Sequence, residues 1–423
     1  MSTQYGFKLN PTRKLRKPAG VKGIRQTITN THDASTIKPG GVLNVLFPDI
    51  GRDDVVVPGT TKLTFKIELN STDANATIVN NLGRSIISKI AVKLESKEVF
   101  TLNDSNVFYC YQDLWKTTDE RSNAAYQGIQ SEAGLKHRIN AGDKGTVAKD
   151  IALGTMFSNQ FSIPLDFEIL ESHMPFYQSE LKDRLSYHLT FNDYKNVIVS
   201  SDDASTYTIS DINLEFDVIT SSELAMSLQN LQKGKFTVLY DNVVLGKEIG
   251  LNKSDRLLNI SIAPLAKSMK GVLVLFVDPK LDFAKDSETF YNPKITNVLT
   301  TLAGKPNQLY SSGMKPQNHF SEIRKYFADG RYRTNANVFK EAELADVKLE
   351  DYATNKYALW LDMRSTDDDS LHGTGRKIEG SNQSIHIQID KKVETAGDLT
   401  AYVYYIQDAQ LNFNNGRLDS IVY

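Results

Sequence analysis

Seven histidines, one cysteine and two acidic groupings are the residues of this chain with chemical potential. The histidines are His32, His137, His173, His188, His319, His372 and His386, and none lies three or four residues from another, so a helical zinc-binding pair is absent. His188 and His386 fall within alternating apolar stretches, where a strand position and a structural role are expected. Cys110 sits among aromatics in FYCYQ; such a setting raises a thiol's pKa, whereas a nucleophile needs an electropositive, partly open one. A single cysteine also rules out a disulfide within the chain and any multi-cysteine metal site. Asp367, Asp368 and Asp369, with His372, Gly373 and Gly375 nearby, form the best candidate for a cation or phosphate, because hard cations favour clustered carboxylates. They lack the ligand spacing of a calcium loop and read as an exposed loop tip. Glu168 and Glu171 would suit a glycosidase only at a defined separation, which the sequence does not set. Phosphate-loop, dinucleotide-binding, nucleophile-elbow and zinc-protease motifs are missing. No catalytic residue, cofactor or metal site is expected, and the protein reads as a non-enzyme.

The charge distribution is more informative. Of the 423 residues, the first 25 hold Lys8, Arg13, Lys14, Arg16, Lys17, Lys22 and Arg25 and no acid, so +7 there leaves −9 on the rest from a net −2. Pro11, Pro18, Gly20 and Gly23 interleave these charges, and an extended, flexible arm over residues 1–35 is expected. Three readings fit it: a solubilising tail, non-specific contact with nucleic-acid phosphates, or docking onto acidic surfaces of neighbouring subunits. The N-terminus shows no signal-peptide pattern and no run is long and apolar enough to span a membrane, so a soluble protein made in a reducing compartment is expected.

The elements that would position these residues are mostly strands. Alternating or apolar runs at 42–47, 61–69, 85–95, 159–167, 186–193 and 209–220 precede a second series at 235–245, 256–265, 271–279, 294–302, 356–363 and 384–391. KLTFKIEL and IHIQI keep a strict period of two, the pattern of a sheet with one wet face. Helical spacing appears only at 105–116, 119–129, 224–231 and 320–327. The chain ends in LTAYVYYIQDAQLNFNNGRLDSIVY, two alternating runs around an Asn-Gly turn signal, and a strand carried to Tyr423 needs something to hold it. A length of 423 residues suits two domains, with the boundary expected within 224–235. The two halves repeat a layout without residue-level identity, and two tandem antiparallel sandwiches form the simplest architecture. The aromatic-rich segments 105–115 and 320–332 are expected at a contact between subunits. Phe290, Tyr291 and Tyr332, in expected loops, instead motivate an alternative: a virion-associated or lectin-like β-sandwich binding protein.

The stretch NNLGRSIISKIAVKLESKEVFTLNDSNVFYCYQDLWKTTDERSNAAYQGIQ (80–130) resembles the major capsid proteins of polinton (Maverick) elements and adinto-type viruses. The segment YVYYIQDAQLNFNNGRLDSIVY (402–423) is similar to the end of the same proteins. The resemblance implies an all-β double jelly roll; with the boundary expected within 224–235, the first jelly roll is expected over 36–228 and the second over 229–423. It further implies homotrimeric, pseudo-hexagonal capsomers, tiled with penton and other minor capsid proteins into an icosahedral shell around double-stranded DNA. A virion location follows, with synthesis in the cytoplasm or nucleus of the host cell. The family has no catalytic residues to transfer.

Overall fold

The computed structural model of the chain describes residues 21–27, 36–73, 76–117, 120–121, 124–129, 160–165, 181–264, 266–278, 287–302, 304–306, 310–329, 347–366, 373–378, 383–389 and 397–423. In chain order these include strands β1 (Val21–Thr27), β2 (Val42–Leu46), β3 (Asp54–Val56), β4 (Lys62–Asn70), β5 (Thr77–Ile78), β6 (Ile87–Leu94), β7 (Lys97–Asn103), β8 (Gln160–Pro164), β9 (Leu185–Phe191), β10 (Ile198–Val199) and β11 (Thr206–Thr220). They continue with β12 (Lys235–Leu251), β13 (Leu257–Ile262), β14 (Ala266–Val277), β15 (Ile295–Leu302), β16 (Lys305–Pro306), β17 (Ala358–Asp362), β18 (Arg376–Ile378), β19 (Gln383–Ile389), β20 (Leu399–Asn414) and β21 (Arg417–Val422). The residues divide into two compact units: Met1–Asn106 with Ala124–Asp241 and Ala409–Val422, and Val107–Asn123 with Asn242–Asp408 and Tyr423. The expected boundary at 224–235 falls on the helix Ser222–Gln232, and the division itself lies inside β12.

In the first unit, one sheet has the order β1-β11-β4-β8, with β3 also on β11, and another the order β2-β9-β6-β7. Strict alternation in β4 buries Leu63, Phe65, Ile67 and Leu69 and turns Lys62, Thr64, Lys66 and Glu68 outward. The two sheets face one another across their buried sides: Phe47, which follows β2, lies 4.8 Å from the ring of Phe216 in β11. The terminal hairpin closes this unit. Asn415 (φ 51°) and Gly416 (φ 75°) both take the left-handed conformation that a two-residue turn requires. Phe413 stacks on Phe236 at 4.6 Å, the Asp183 carboxylate accepts from Leu418 N at 2.7 Å, and Lys182 N donates to Gly416 O at 2.8 Å. These contacts hold the last strand.

In the second unit, one sheet runs β12-β20-β14-β17 with β18 on β14, and the other runs β13-β19-β15-β16. Its central strand β14 does not alternate: Val272, Leu273, Val274, Leu275 and Phe276 are all buried. Both faces are covered, which removes any wet side and leaves a continuous apolar run. Trp360 of β17, next to β14, stacks at 4.1 Å on Tyr326, just beyond the helix Pro316–Arg324. Gly271 in β14 is fixed by the same tryptophan, because a Cβ there would lie 2.4 Å from Trp360 Cζ2.

Several expectations change locally. The run at 85–95 begins as the one-turn helix Leu82–Ser85 and becomes strand only at Ile87. The helix expected over 119–129 is reduced, among its described residues, to a helical pair at 120–121 and a 3-10 turn at Ala125–Gln127. Apolar spacing there is too sparse to carry a long helix. Among the described residues, no helix is long and apolar enough to cross a membrane.

Candidate functional site

Of the residues with catalytic potential, His319 and Cys110 are built into the core, His188 and His386 stand on strands with partly or fully exposed side chains, and the others lie outside the described residues. His319, on the helix Pro316–Arg324, is buried, with Nδ1 2.8 Å from the Tyr357 hydroxyl, and burial pushes its pKa down to about 4. Cys110 is buried and forms no disulfide. His188 and His386 stand on strands β9 and β19. His32, His137, His173, His372, Glu168, Glu171 and the Asp367–Asp369 run lie outside the described residues. Among the described residues, no group of three or more His, Cys, Asp or Glu is placed to hold a metal ion.

Of the aromatic segments expected at a subunit contact, the described residues 105–115 and 320–329 pack largely into the core. Tyr111 packs edge-on against Phe290 at 5.0 Å and Phe327 at 5.7 Å, and Trp115 stacks on Phe327 at 6.2 Å. Tyr111, Leu114, Trp115, Ile323 and Phe327 are buried. Phe290 is only 1% exposed, so it offers no platform for a sugar ring, and Tyr332 lies outside the described residues. Spacing identified an apolar helix face correctly, and that face packs within the second unit itself. The cluster is pinned by Arg121, whose guanidinium donates to both Glu288 carboxylate oxygens at 3.1 and 2.7 Å, with both side chains buried. Arg364 forms a similar fork on Asp362 and lies 4.9 Å from the Tyr326 ring centroid. Burial drives the Tyr111 and Tyr352 hydroxyls to higher pKa.

The seven basic residues separate. Lys8, Arg13, Lys14, Arg16 and Lys17 lie outside the described residues, whereas Lys22 and Arg25 belong to β1, at register positions opposite Val218 and Glu215 of β11. The last two are therefore part of a sheet ladder rather than of a free arm. Their strand was missed because charge and glycine dominate the segment.

A surface feature appears only once the strands are paired. In the first unit, Asn44 of β2 stands directly opposite His188 of β9. In the second, Asn259 of β13 stands directly opposite His386 of β19, and His386 Nδ1 lies 2.6 Å from Asn259 Oδ1. The flanking residues match as well: Leu43-Asn44-Val45 corresponds to Leu258-Asn259-Ile260, and Ser186-Tyr187-His188 to Ser384-Ile385-His386. The repeat thus reaches residue level, contrary to the expectation from the linear sequence. β2 and β13 are edge strands of corresponding four-stranded sheets. On the outward side of these edges, Val42 is 53%, Leu46 51% and Leu257 54% exposed. Burial, followed by the charge of Lys93, lowers the His188 pKa.

Two β-sandwich units in one chain define the class: an all-β double jelly roll. Known structures share it across nearly their whole length. A chain of the Sputnik virophage, solved by cryo-EM, matches 98% of this chain and 91% of its own with a TM-score of 0.63 at 9% identity. A chain of the PBCV-1 virus capsid matches 98% of this chain and 99% of its own, with a TM-score of 0.60 at 10% identity. The mavirus major capsid protein matches 99% and 93%, with a TM-score of 0.53 at 12% identity. No protein-family model and no curated protein matches the sequence. At such identities the likeness establishes the fold, and these neighbours are double jelly-roll major capsid proteins of giant viruses and virophages.

Proposed function

We propose that this chain is a major capsid protein of the polinton and adintovirus type, a structural component of a virion without enzymatic activity. One observation carries the reading: a double jelly roll shared with viral capsid proteins along essentially the entire length of both chains. The finer placement rests on the resembling blocks 80–130 and 402–423. In this role three chains form one homotrimeric, pseudo-hexagonal capsomer, and the capsomers assemble with penton and minor proteins into an icosahedral shell around double-stranded DNA. The five basic residues from Lys8 to Lys17 contact either that DNA or neighbouring subunits. The interior chemistry is consistent with such a part, since the perturbed tyrosines and His319 owe their shifts chiefly to burial in packed cores. Of the three aromatics that favoured a lectin-like protein, Phe290 is buried and Tyr291 half-buried, while Tyr332 lies outside the described residues. The test is light scattering with negative-stain microscopy on the purified protein. A three-chain mass and a threefold, near-hexagonal outline are expected; a monomer at every concentration would refute the proposal.

A further inference from the structure

We infer that the uncharged edge strand β2 of one copy docks against the uncharged edge strand β13 of a second copy. The inference rests on the capsid reading above and names a surface which that reading leaves unassigned.

Exposed sheet edges invite unwanted pairing, and proteins normally guard them with charge, proline or a cover. Among the described residues, the main orders of the four larger sheets end in eight strands, and six of these carry charge or proline in their sequences: Lys22 and Arg25 in β1, Lys97 and Glu98 in β7, Pro164 in β8, Lys235, Asp241, Lys247 and Glu248 in β12, Lys305 and Pro306 in β16, and Asp362 in β17. The two that remain, β2 (VLNVL) and β13 (LLNISI), carry neither charge nor proline. Within each of their sheets one edge is guarded and the other bare, and the bare edges are equivalent in the two units. Their outward residues are apolar and more than half exposed at Val42, Leu46 and Leu257. The asparagine opposite a histidine recurs on both, at positions where the sandwich core imposes no choice of side chain.

The lack of charge on both edges selects the occupant, a second copy of this chain. A neutral, apolar edge set against any of the six guarded edges would desolvate a charge without a counter-charge, or meet a proline that cannot donate. The neutral edge of the other unit presents neither problem. A patch present twice per chain also suits a partner as abundant as the chain itself. Contact of β2 on one copy with β13 on the next is heterologous, the type that closes into a ring when each member offers both halves. The predicted ring uses every bare edge once.

The experiment uses the full chain with cysteines at both edges, Leu46→Cys and Leu257→Cys. The native Cys110 is buried, so the new thiols are the reactive ones. Mild oxidation of the double variant should give covalent species up to a closed three-chain product on a non-reducing gel, while each single variant stays uncrosslinked. In parallel, Leu46→Lys or Leu257→Lys, at positions already exposed, should leave the fold intact by circular dichroism and raise the trimer dissociation concentration by about tenfold or more. A wild-type trimer whose double variant does not crosslink and whose lysine variants assemble normally would overturn the inference and leave the capsid reading standing. Self-crosslinking of Leu46→Cys alone would do the same, by showing like edges in contact. A wild type that stays monomeric removes both.

Discussion

At the scale of single residues, the second unit is held by groups that tolerate little change. Arg121 and Glu288 are mutually neutralised in the core, so Arg121→Met should strand a buried carboxylate and cost about 3–5 kcal/mol in chemical denaturation. The double replacement Arg121→Met with Glu288→Leu should recover most of that loss, because it removes both desolvated charges together. Gly271→Ala should also destabilise, by about 1–3 kcal/mol, since its methyl group meets the indole of Trp360 and the carbonyl of Leu361. His319 makes stability depend on acid. Its folded pKa of about 4 lies below the unfolded value near 6.5, so the folded state binds fewer protons between them. Its contribution is complete above about pH 6.5 and is lost as pH falls toward 4, by roughly 3 kcal/mol. Unfolding of wild type and His319→Gln at pH 7 and pH 4.5 should show a markedly smaller acid penalty in the variant; equal penalties would assign the acid limb to other groups.

At the scale of elements, the last strand is the clearest test. Deleting Leu418–Tyr423 removes a buried leucine and the half-buried Ile421 and Val422, and should cost about 2–5 kcal/mol, read as a lower melting temperature. That strand was legible in the sequence because alternation flanks an Asn-Gly pair whose conformation admits one kind of turn. β4 and β19 were legible for the same kind of reason, each having one wet face. β7 was not: the turn before it places Glu95 at φ 52°, a conformation with no glycine to announce it. β3, β16 and β18 are only two or three residues long, below any period that can be counted. The helical segments 105–116 and 320–327 were recognised, yet periodicity says only that a face is apolar, not which surface covers it. The matched edges β2 and β13 were invisible for a different reason. Asn44 and His188 are remote along the chain, and their pairing exists only after the sheet forms.

At the scale of the whole molecule, β1 decides where the basic segment can be cut. Removing residues 1–20 spares the ladder of β1 with β11, so trimers should remain folded while shell assembly or DNA retention is impaired. Particles filled normally with DNA would exclude a role for Lys8, Arg13, Lys14, Arg16 and Lys17. If phosphates are the target, retention should also weaken steeply with added salt. The return of residues 409–422 to the first unit has a consequence for biosynthesis. Domains of a nascent chain commonly fold in order of emergence, N-terminal first. Here the earlier-made sandwich lacks its closing hairpin until translation has passed residue 422, so it must wait, incomplete, while the later one is synthesised. A stop codon placed shortly before residue 417 would therefore injure the half of the protein that was translated first.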